Sequence, residues 1–430
     1  MRVININNLI IENVRVISPA ENKDEVTNIY IRSGKIAEPF KTEESDTVVD
    51  GKGLVAMPGL VDLHVHLRDP GQTDKEDIIS GTNAAAAGGV TSLLCMPNTN
   101  PAIDNAGVVS YILDKAKGCK SKVYVAGSIT KGLKGQEATD LLTLRKAGAI
   151  GLSDDGRPVL DPKIMAEAMK EAPKLGMTVV AHCEDLALAD GGKINEGKMS
   201  EKLGIKGIPN DAENNGTERE IILAEKTDSP VHICHVSTKE SVELIRKAKK
   251  RGVKVTAETA PHYFTLTEDV LENKNADCRM NPPLRTEEDR KAIIEGLLDG
   301  TIDCIATDHA PHTEEDKADF VKAPNGSIGM ETSLAVTLTQ LYHNGKFSLL
   351  DIAGLMSTAP DNILKINAGT IKTGANADIA LVDVNKVWTV DREKLHGKSK
   401  NTPFHGMELK GKVVMTILDG KIVFEDKTQD

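Results

Sequence analysis

Asp62-Leu-His-Val-His-Leu-Arg68 is the stretch on which the reading of this chain turns. Taken as a β-strand it alternates with a period of two: Val61, Leu63, Val65 and Leu67 point one way, and Asp62, His64, His66 and Arg68 the other. The apolar side can pack on helices. The other side would bury four polar or charged groups in a row, which is costly unless they are paired or hold a metal. Two imidazoles at i and i+2 on one strand face suit a divalent transition metal such as zinc.

Outward from that strand, β-like runs alternate with helix-like stretches between about Pro58 and Ile366. The runs are Leu60–His66, Val90–Pro97, Lys122–Thr130, Ala149–Asp154, Thr178–Glu184, Val231–Ser237, Val253–Thr259 and Ile302–Asp308. The stretches between them carry helix signals. Asp161-Pro162 reads as an N-cap with proline at the first helical position, followed by an apolar face of Ile164, Met165, Ala168, Met169 and Ala172. Ser237-x-x-Glu240 reads as a capping box opening a helix that ends near Gly252. This alternation predicts an α/β protein with a parallel (β/α)8 barrel of the TIM type.

The two ends read differently. Short strands are expected at Asn13–Ser18, Asn28–Arg32 and Val48–Asp50, and again at Asp378–Val382, Leu409–Leu418 and Lys421–Phe424. Neither end has enough strands for a stable core alone. The expected organisation is therefore a small composite β-sandwich from residues 1–56 and 369–430, with a catalytic metal-dependent barrel, residues 57–368, inserted between its halves.

The composition excludes several function classes. Fifty-three basic against 64 acidic residues give a net charge of −11, a poor match to phosphate backbones or anionic membranes. Aromatics at 3% leave little for stacking on single-stranded nucleic acid. No apolar run approaches the roughly 20 residues of a membrane span, and Met-Arg-Val-Ile-Asn-Ile-Asn-Asn at the N-terminus has no signal-peptide profile. The six cysteines are scattered without a Cys-x-x-Cys pair, as reduced thiols are. A soluble cytoplasmic protein acting on a small molecule is expected, with neither nucleic acid nor membrane as partner.

Catalytic groups of such a barrel lie at the C-terminal ends of its strands. Polar residues collect there repeatedly: His64, His66 and Arg68 after the first run, Asn98 and Thr99 after the second, and Ser153-Asp154-Asp155-Gly156 after the fourth. The fifth ends His182-Cys-Glu184, the sixth His235-Val-Ser237, and the eighth Asp308-His-Ala-Pro-His312. Four imidazoles and a bridging carboxylate can hold two metal ions, an arrangement that generates hydroxide near neutral pH. A further aspartate beside that hydroxide can move its proton to a leaving nitrogen. The constellation implies hydrolysis of an amide-like bond, with either Asp154 or Asp155 as the bridge.

The string Asp62-Leu-His-Val-His-Leu-Arg-Asp-Pro-Gly71, together with Met96-Pro-Asn-Thr99, Asn281-Pro-Pro-Leu-Arg285 and Asp308-His-Ala-Pro-His-Thr313, resembles dihydroorotases of the amidohydrolase superfamily, in the long bacterial and archaeal form. The order and spacing extend over nearly the whole chain. The resemblance implies two Zn2+ ions per subunit, with His64 and His66 on the first and His182 and His235 on the second. It chooses Asp155 as the bridge by its spacing to His182, with Asp154 as the fallback, and makes Asp308 the acid/base and a residue of the metal centre. It also implies that Arg68 and Asn98 hold the substrate carboxylate, that His66, Asn281 and His312 complete the pocket, and that Asn325 and Gly326 reach the ring from the following loop. A guanidinium suits bidentate carboxylate binding.

The implied reaction is the reversible hydrolysis of L-dihydroorotate to N-carbamoyl-L-aspartate by a metal-bridging hydroxide, within pyrimidine biosynthesis. The family reading admits aspartate transcarbamoylase as a protein partner and a homodimer as assembly. Two alternatives are a related cyclic amidase (hydantoinase or allantoinase) and a non-catalytic scaffold for aspartate transcarbamoylase. The cyclic amidases usually lack an arginine two residues past the second histidine, and scaffold chains have lost metal ligands that this one retains. Residues 313–327 form a long charged loop that reads either as a lid or as a solvated loop.

Overall fold

In the computed structural model, which describes residues 8–427, eight parallel strands follow one another in chain order around a barrel. They are Leu60–Val65, Val90–Cys95, Lys122–Gly127, Gly151–Leu152, Thr178–Ala181, Val231–Ile233, Val255–Thr259 and Cys304–Ile305. Each overlaps an expected run, but most stop short of the polar residues at its end. Those residues are thereby free to turn inward over the barrel mouth. The N-terminal residues read for a signal lie almost wholly outside the described part. Among the described residues, no helix is long and apolar enough to cross a membrane, and all six cysteines are free.

The barrel closes between its first and last strands through few bonds. His66 N donates to His309 O at 2.8 Å, and the Asp62 carboxylate accepts from Thr307 N at 3.0 Å and Thr307 Oγ1 at 2.6 Å. Asp62 thus latches the seam, a role the sequence left open. Asp62→Ala would take the acceptor from Thr307 N and Oγ1 and from His64 N, lowering stability by roughly 2–4 kcal/mol. Urea unfolding measures it; an unchanged midpoint would rule out the latch.

Strict alternation along the first strand breaks at a register irregularity between Asp62 and Val65. Val61 and Leu63 pack with Leu94, Ala126, Val180 and Ala306 in the barrel interior, whereas Val65 and Leu67 join the outer cluster of Ile78, Val109 and Ile129. The shift lets apolar residues fill the barrel below while His64 faces its mouth.

The expected helix after Asp161 is present as Pro162–Glu171, with the Asp161 carboxylate accepting from Lys163 N and Met165, Ala168 and Met169 buried. The capping box at Ser237 is not. Glu213 takes the Ser237 and Thr238 backbone N–H groups and the Ser237 hydroxyl. Thr238 therefore caps the helix Lys239–Lys250 by accepting from Ser241 N. A carboxylate from an earlier helix outcompetes the local cap.

Both termini contribute to one further eight-stranded sheet. Its strands are Leu9–Ser18, Lys23–Arg32, Lys35–Ala37, Thr47–Asp50, Val55–Pro58, Ile379–Thr389, Glu408–Leu418 and Lys421–Glu425. Val55–Pro58 joins the halves, running parallel to the first of these strands and antiparallel to Ile379–Thr389. One face closes over its own core of Ile11, Val16, Ile31, Ile379 and Ile417. Alternate residues, including Met57, Ala380 and Val382, pack into the barrel's outer core.

Candidate metal centre and substrate pocket

At the barrel mouth the Asp155 carboxylate stands among four imidazoles. Its Oδ1 is 3.3 Å from His64 Nε2, 3.5 Å from His182 Nδ1 and 3.8 Å from His235 Nε2, and its Oδ2 is 3.5 Å from His66 Nε2. Asp308 Oδ1 lies 3.2 Å from His66 Nε2 and 3.6 Å from His64 Nε2. All six residues are buried. Two ligands of a tetrahedral ion with bonds near 2.0–2.1 Å stand roughly 3.3 Å apart, so these spacings suit ligands sharing an ion. His64 Nε2 and Asp155 Oδ1 are buried without a hydrogen-bond partner. Such orphaned atoms are costly, and a cation between them would answer both. Asp154, by contrast, accepts from Ile129 N at 2.7 Å and Thr130 N at 3.0 Å, outside the cluster.

Backbone strain aims several of these groups. Arg68, His235 and Asp308 have φ of 60°, 35° and 49°, in the left-handed region that side chains other than glycine's rarely occupy. Each lies just past its strand, where the turn swings the side chain over the mouth.

The far nitrogens of three imidazoles are engaged as well. His64 Nδ1 donates to Glu258 Oε1 at 3.0 Å, and His232 Nε2 donates to the other oxygen of Glu258 at 3.1 Å. His66 Nδ1 bonds Asn98 Oδ1 at 2.8 Å, and His182 Nε2 bonds Glu184 Oε2 at 3.3 Å. Donation on the far side leaves a lone pair facing the centre. The carboxylates therefore select Nε2 of His64 and Nδ1 of His182 as the facing atoms.

Electrostatics agree with a site built for cations. Burial would raise Asp155, but the His64 imidazole and bonds from the histidines hold it well below the usual carboxylate range. Asp308 is likewise held down against burial, chiefly by His66 and His64. His182, which burial would lower, is raised to about 10 by Asp155 and Glu184. The carboxylates stay ionised, and their field demands positive charge.

Beside the centre lies a second cluster. Arg68 Nε donates to Pro311 O at 3.1 Å, and its Nη2 lies 3.3 Å from His312 Nε2. Burial pulls Arg68 down to about 10. His312 Nε2 donates to Asn325 O at 2.9 Å, and Lys75 Nζ reaches His312 Nδ1 at 3.5 Å. Gly326 has φ 130°, and a Cβ there would fall 2.6 Å from Ala310 Cβ. Arg68, His312, Asn325 and Gly326 are thus brought together. Asn98 sits with the imidazoles and also donates to Asp155 Oδ2 at 3.3 Å. Asn281 donates to both oxygens of Glu184 at 3.3 Å, so it reaches the centre through His182.

The loop 313–327 is tied down. Lys317 Nζ donates to Ala276 O, Arg279 O and Pro324 O, and the Arg279 guanidinium to Phe320 O, Val321 O and Asn325 Oδ1. These bonds hold it against residues 276–279. Sequence reasoning missed Glu258, His232 and the Glu184 partnership. Their signal was a charged or imidazole side chain inside an otherwise apolar strand run.

The chain matches the family model described as Dihydro-orotase-like over residues 53–241. A dihydroorotase of Geobacter metallireducens is 49% identical over 423 residues, covering 97% of this chain and 100% of that protein. The chain belongs to the dihydroorotase family. A dihydroorotase of Acetivibrio thermocellus is 47% identical over 97% of this chain and 99% of its own. Among solved structures, an L-hydantoinase (dihydropyrimidinase) from Arthrobacter aurescens superposes with a TM-score of 0.87 at 27% identity, covering 98% of this chain and 96% of that one. The dihydroorotase family and these neighbours make the chain a cyclic amidohydrolase, whose fold implies a divalent metal. Two of the clusters described above, His64–His66–Asp308 and Asp155–His182–His235, have the donor atoms to hold one.

Proposed function

We propose that this centre interconverts L-dihydroorotate and N-carbamoyl-L-aspartate, and that His64 and His66 would hold one zinc ion, His182 and His235 a second, with Asp155 a ligand common to both. The observation that carries the substrate is Arg68. Arg68 is 8% exposed, yet among the described residues its guanidinium donates to the Pro311 carbonyl, faces the His312 ring, and has no carboxylate paired with it. A buried unpaired cation is costly, and the ring carboxylate of dihydroorotate would neutralise it bidentately. Hydantoin carries no such carboxylate in its ring.

When bound, the ions supply Lewis acidity, polarising a carbonyl and making water a competent nucleophile near neutral pH. Arg68, with His312 and the Asn325–Gly326 backbone, orients the substrate by its carboxylate. Asp308, ionised because of its imidazole neighbours, accepts the proton of the attacking water. It returns that proton to the departing ring nitrogen. In cyclisation Asp308 takes the proton from the ureido nitrogen as that nitrogen attacks the protonated side-chain carboxyl, and returns it to the carboxyl's departing hydroxyl, which leaves as water. Ring closure consumes one proton, so the equilibrium ring-to-open ratio should rise about tenfold per unit fall in pH above the carboxyl's pKa.

The test is turnover of L-dihydroorotate, followed by loss of ring absorbance, with and without added zinc. Absence of turnover by metal-loaded protein would sink the reading. Arg68→Lys keeps the charge but loses the fork geometry. It is expected to raise KM for dihydroorotate by about 10–100-fold with kcat little changed; an unchanged KM would take Arg68 out of carboxylate binding.

A further inference from the structure

The segment 396–402, which precedes the strand Glu408–Leu418, runs along the loops that follow the first and last barrel strands. Asn401, 4% exposed, is its most engaged residue. Asn401 Nδ2 donates to Ala310 O at 3.2 Å and to Gly326 O at 3.1 Å, and its Oδ1 accepts from His312 N at 3.1 Å. Its own carbonyl accepts from Ile328 N at 3.1 Å. One side chain therefore spans the two backbone stretches that carry His312 and Gly326. The same segment grips the opposite wall. Ser399 Oγ donates to Lys75 O at 2.6 Å, and Lys398 Nζ to Thr73 O at 2.8 Å. Lys75 in turn reaches His312 Nδ1.

A buried asparagine commonly does no more than satisfy stray loop carbonyls. Here its three partners lie on the two backbone stretches that meet beside Arg68, 310–312 and 326, and they are held from a segment outside the barrel's own strands and helices. The His312 amide and the Gly326 carbonyl are thereby tied to one side chain, which limits how far the two stretches can separate. A guanidinium and an imidazole bind a carboxylate well only if held to within about half an ångström.

We infer that Asn401 is a positioning residue for substrate binding: it sets the separation of His312 and Gly326, so that the C-terminal segment, and not the barrel alone, determines how tightly the carboxylate is held. The inference rests on the proposed reading of the Arg68–His312 pocket. With the substrate carboxylate bound through these stretches, loosening them weakens binding. The metal cluster and Asp308 lie on other contacts and keep their geometry.

The test compares wild type with Asn401→Ala in the metal-loaded full chain, by steady-state kinetics on dihydroorotate, metal content, and backbone hydrogen exchange. The expected result is a KM raised about tenfold, kcat within about threefold and metal content unchanged. Exchange at residues 310–312 and 326–328 should quicken, with the rest of the barrel unmoved. Ser399→Ala, which loses the segment's bond to the opposite wall at Lys75, should shift KM in the same direction by less, and it carries the test if Asn401→Ala does not fold. Unchanged exchange at these residues overturns the inference, as does faster exchange with an unchanged KM. A parallel fall in kcat and metal content also overturns it, because that pattern marks a general loss of structure. An inactive wild type would sink the reading of the reaction instead, and exchange would then decide Asn401's hold on the two stretches by itself.

Discussion

Asp308→Ala is expected to lower turnover of dihydroorotate by about a thousandfold or more, equivalent to about 4 kcal/mol of transition-state stabilisation, while the protein still binds metal. The carboxylate sits where the proposed mechanism needs a proton carrier. It is buried, its φ of 49° holds it over the barrel mouth, and its Oδ1 lies within 3.2–3.6 Å of two imidazoles. Those imidazoles hold it ionised against its burial, the state the proposed mechanism requires of a base. Four imidazoles and Asp155 remain to bind metal in the variant. Elemental analysis alongside initial rates separates the two roles. Near-normal turnover would remove Asp308 from the mechanism; loss of all metal would make it chiefly a ligand.

The second large effect is a contrast between neighbours. Asp155→Ala should weaken metal binding by more than about 100-fold, since even residues that only orient ligands cost 10–100-fold, and should abolish activity. His182 and His235 would face one another, His182 Nδ1 already lying 2.9 Å from His235 Nε2, with no carboxylate between them, and Asp308 would be left as the one anion beside His64 and His66. Asp154→Ala should keep the metal and instead lose stability by roughly 2–4 kcal/mol, because Ile129 N, Thr130 N and the Thr130 hydroxyl lose their acceptor. Metal titration and urea unfolding of both variants check this. The reverse pattern would make Asp154 the bridge.

Much of this architecture was legible in the residues themselves. Parallel strands buried on both faces read as continuous apolar runs, which is why Val90–Cys95 and Lys122–Gly127 stood out. The helix at Pro162 carried its own cap and proline. His64, His66, His182, His235 and Asp308 could be grouped because one rule, that a barrel's chemistry lies at its strand ends, turns separate sequence positions into one place. Ser153-Asp154-Asp155-Gly156 showed that a carboxylate was available there; the resemblance, and not the pattern, chose between the two.

Other features were invisible to a local pattern. The strand Val55–Pro58 is short and ends in proline, so nothing marks it as the joint between two halves of a sheet separated by more than three hundred residues of chain. The irregularity after Asp62 reverses which face each side chain takes, and a period of two cannot foresee it. Glu213 displaces the cap at Ser237 from an earlier helix.

The sequence by itself determined the order of strands and helices, the two ends' β character, and which polar residues would gather at the barrel mouth. Burial periodicity and local capping are written along the chain and need only neighbours to act. Tertiary structure alone decided the bonding among those residues: Glu258 on His64, Asp154 on the backbone of Ile129 and Thr130, and Asn401 on His312 across 89 residues of chain. Hydrogen bonds are short-ranged and directional, so their partners are chosen by where folding brings two atoms, whatever their distance in sequence.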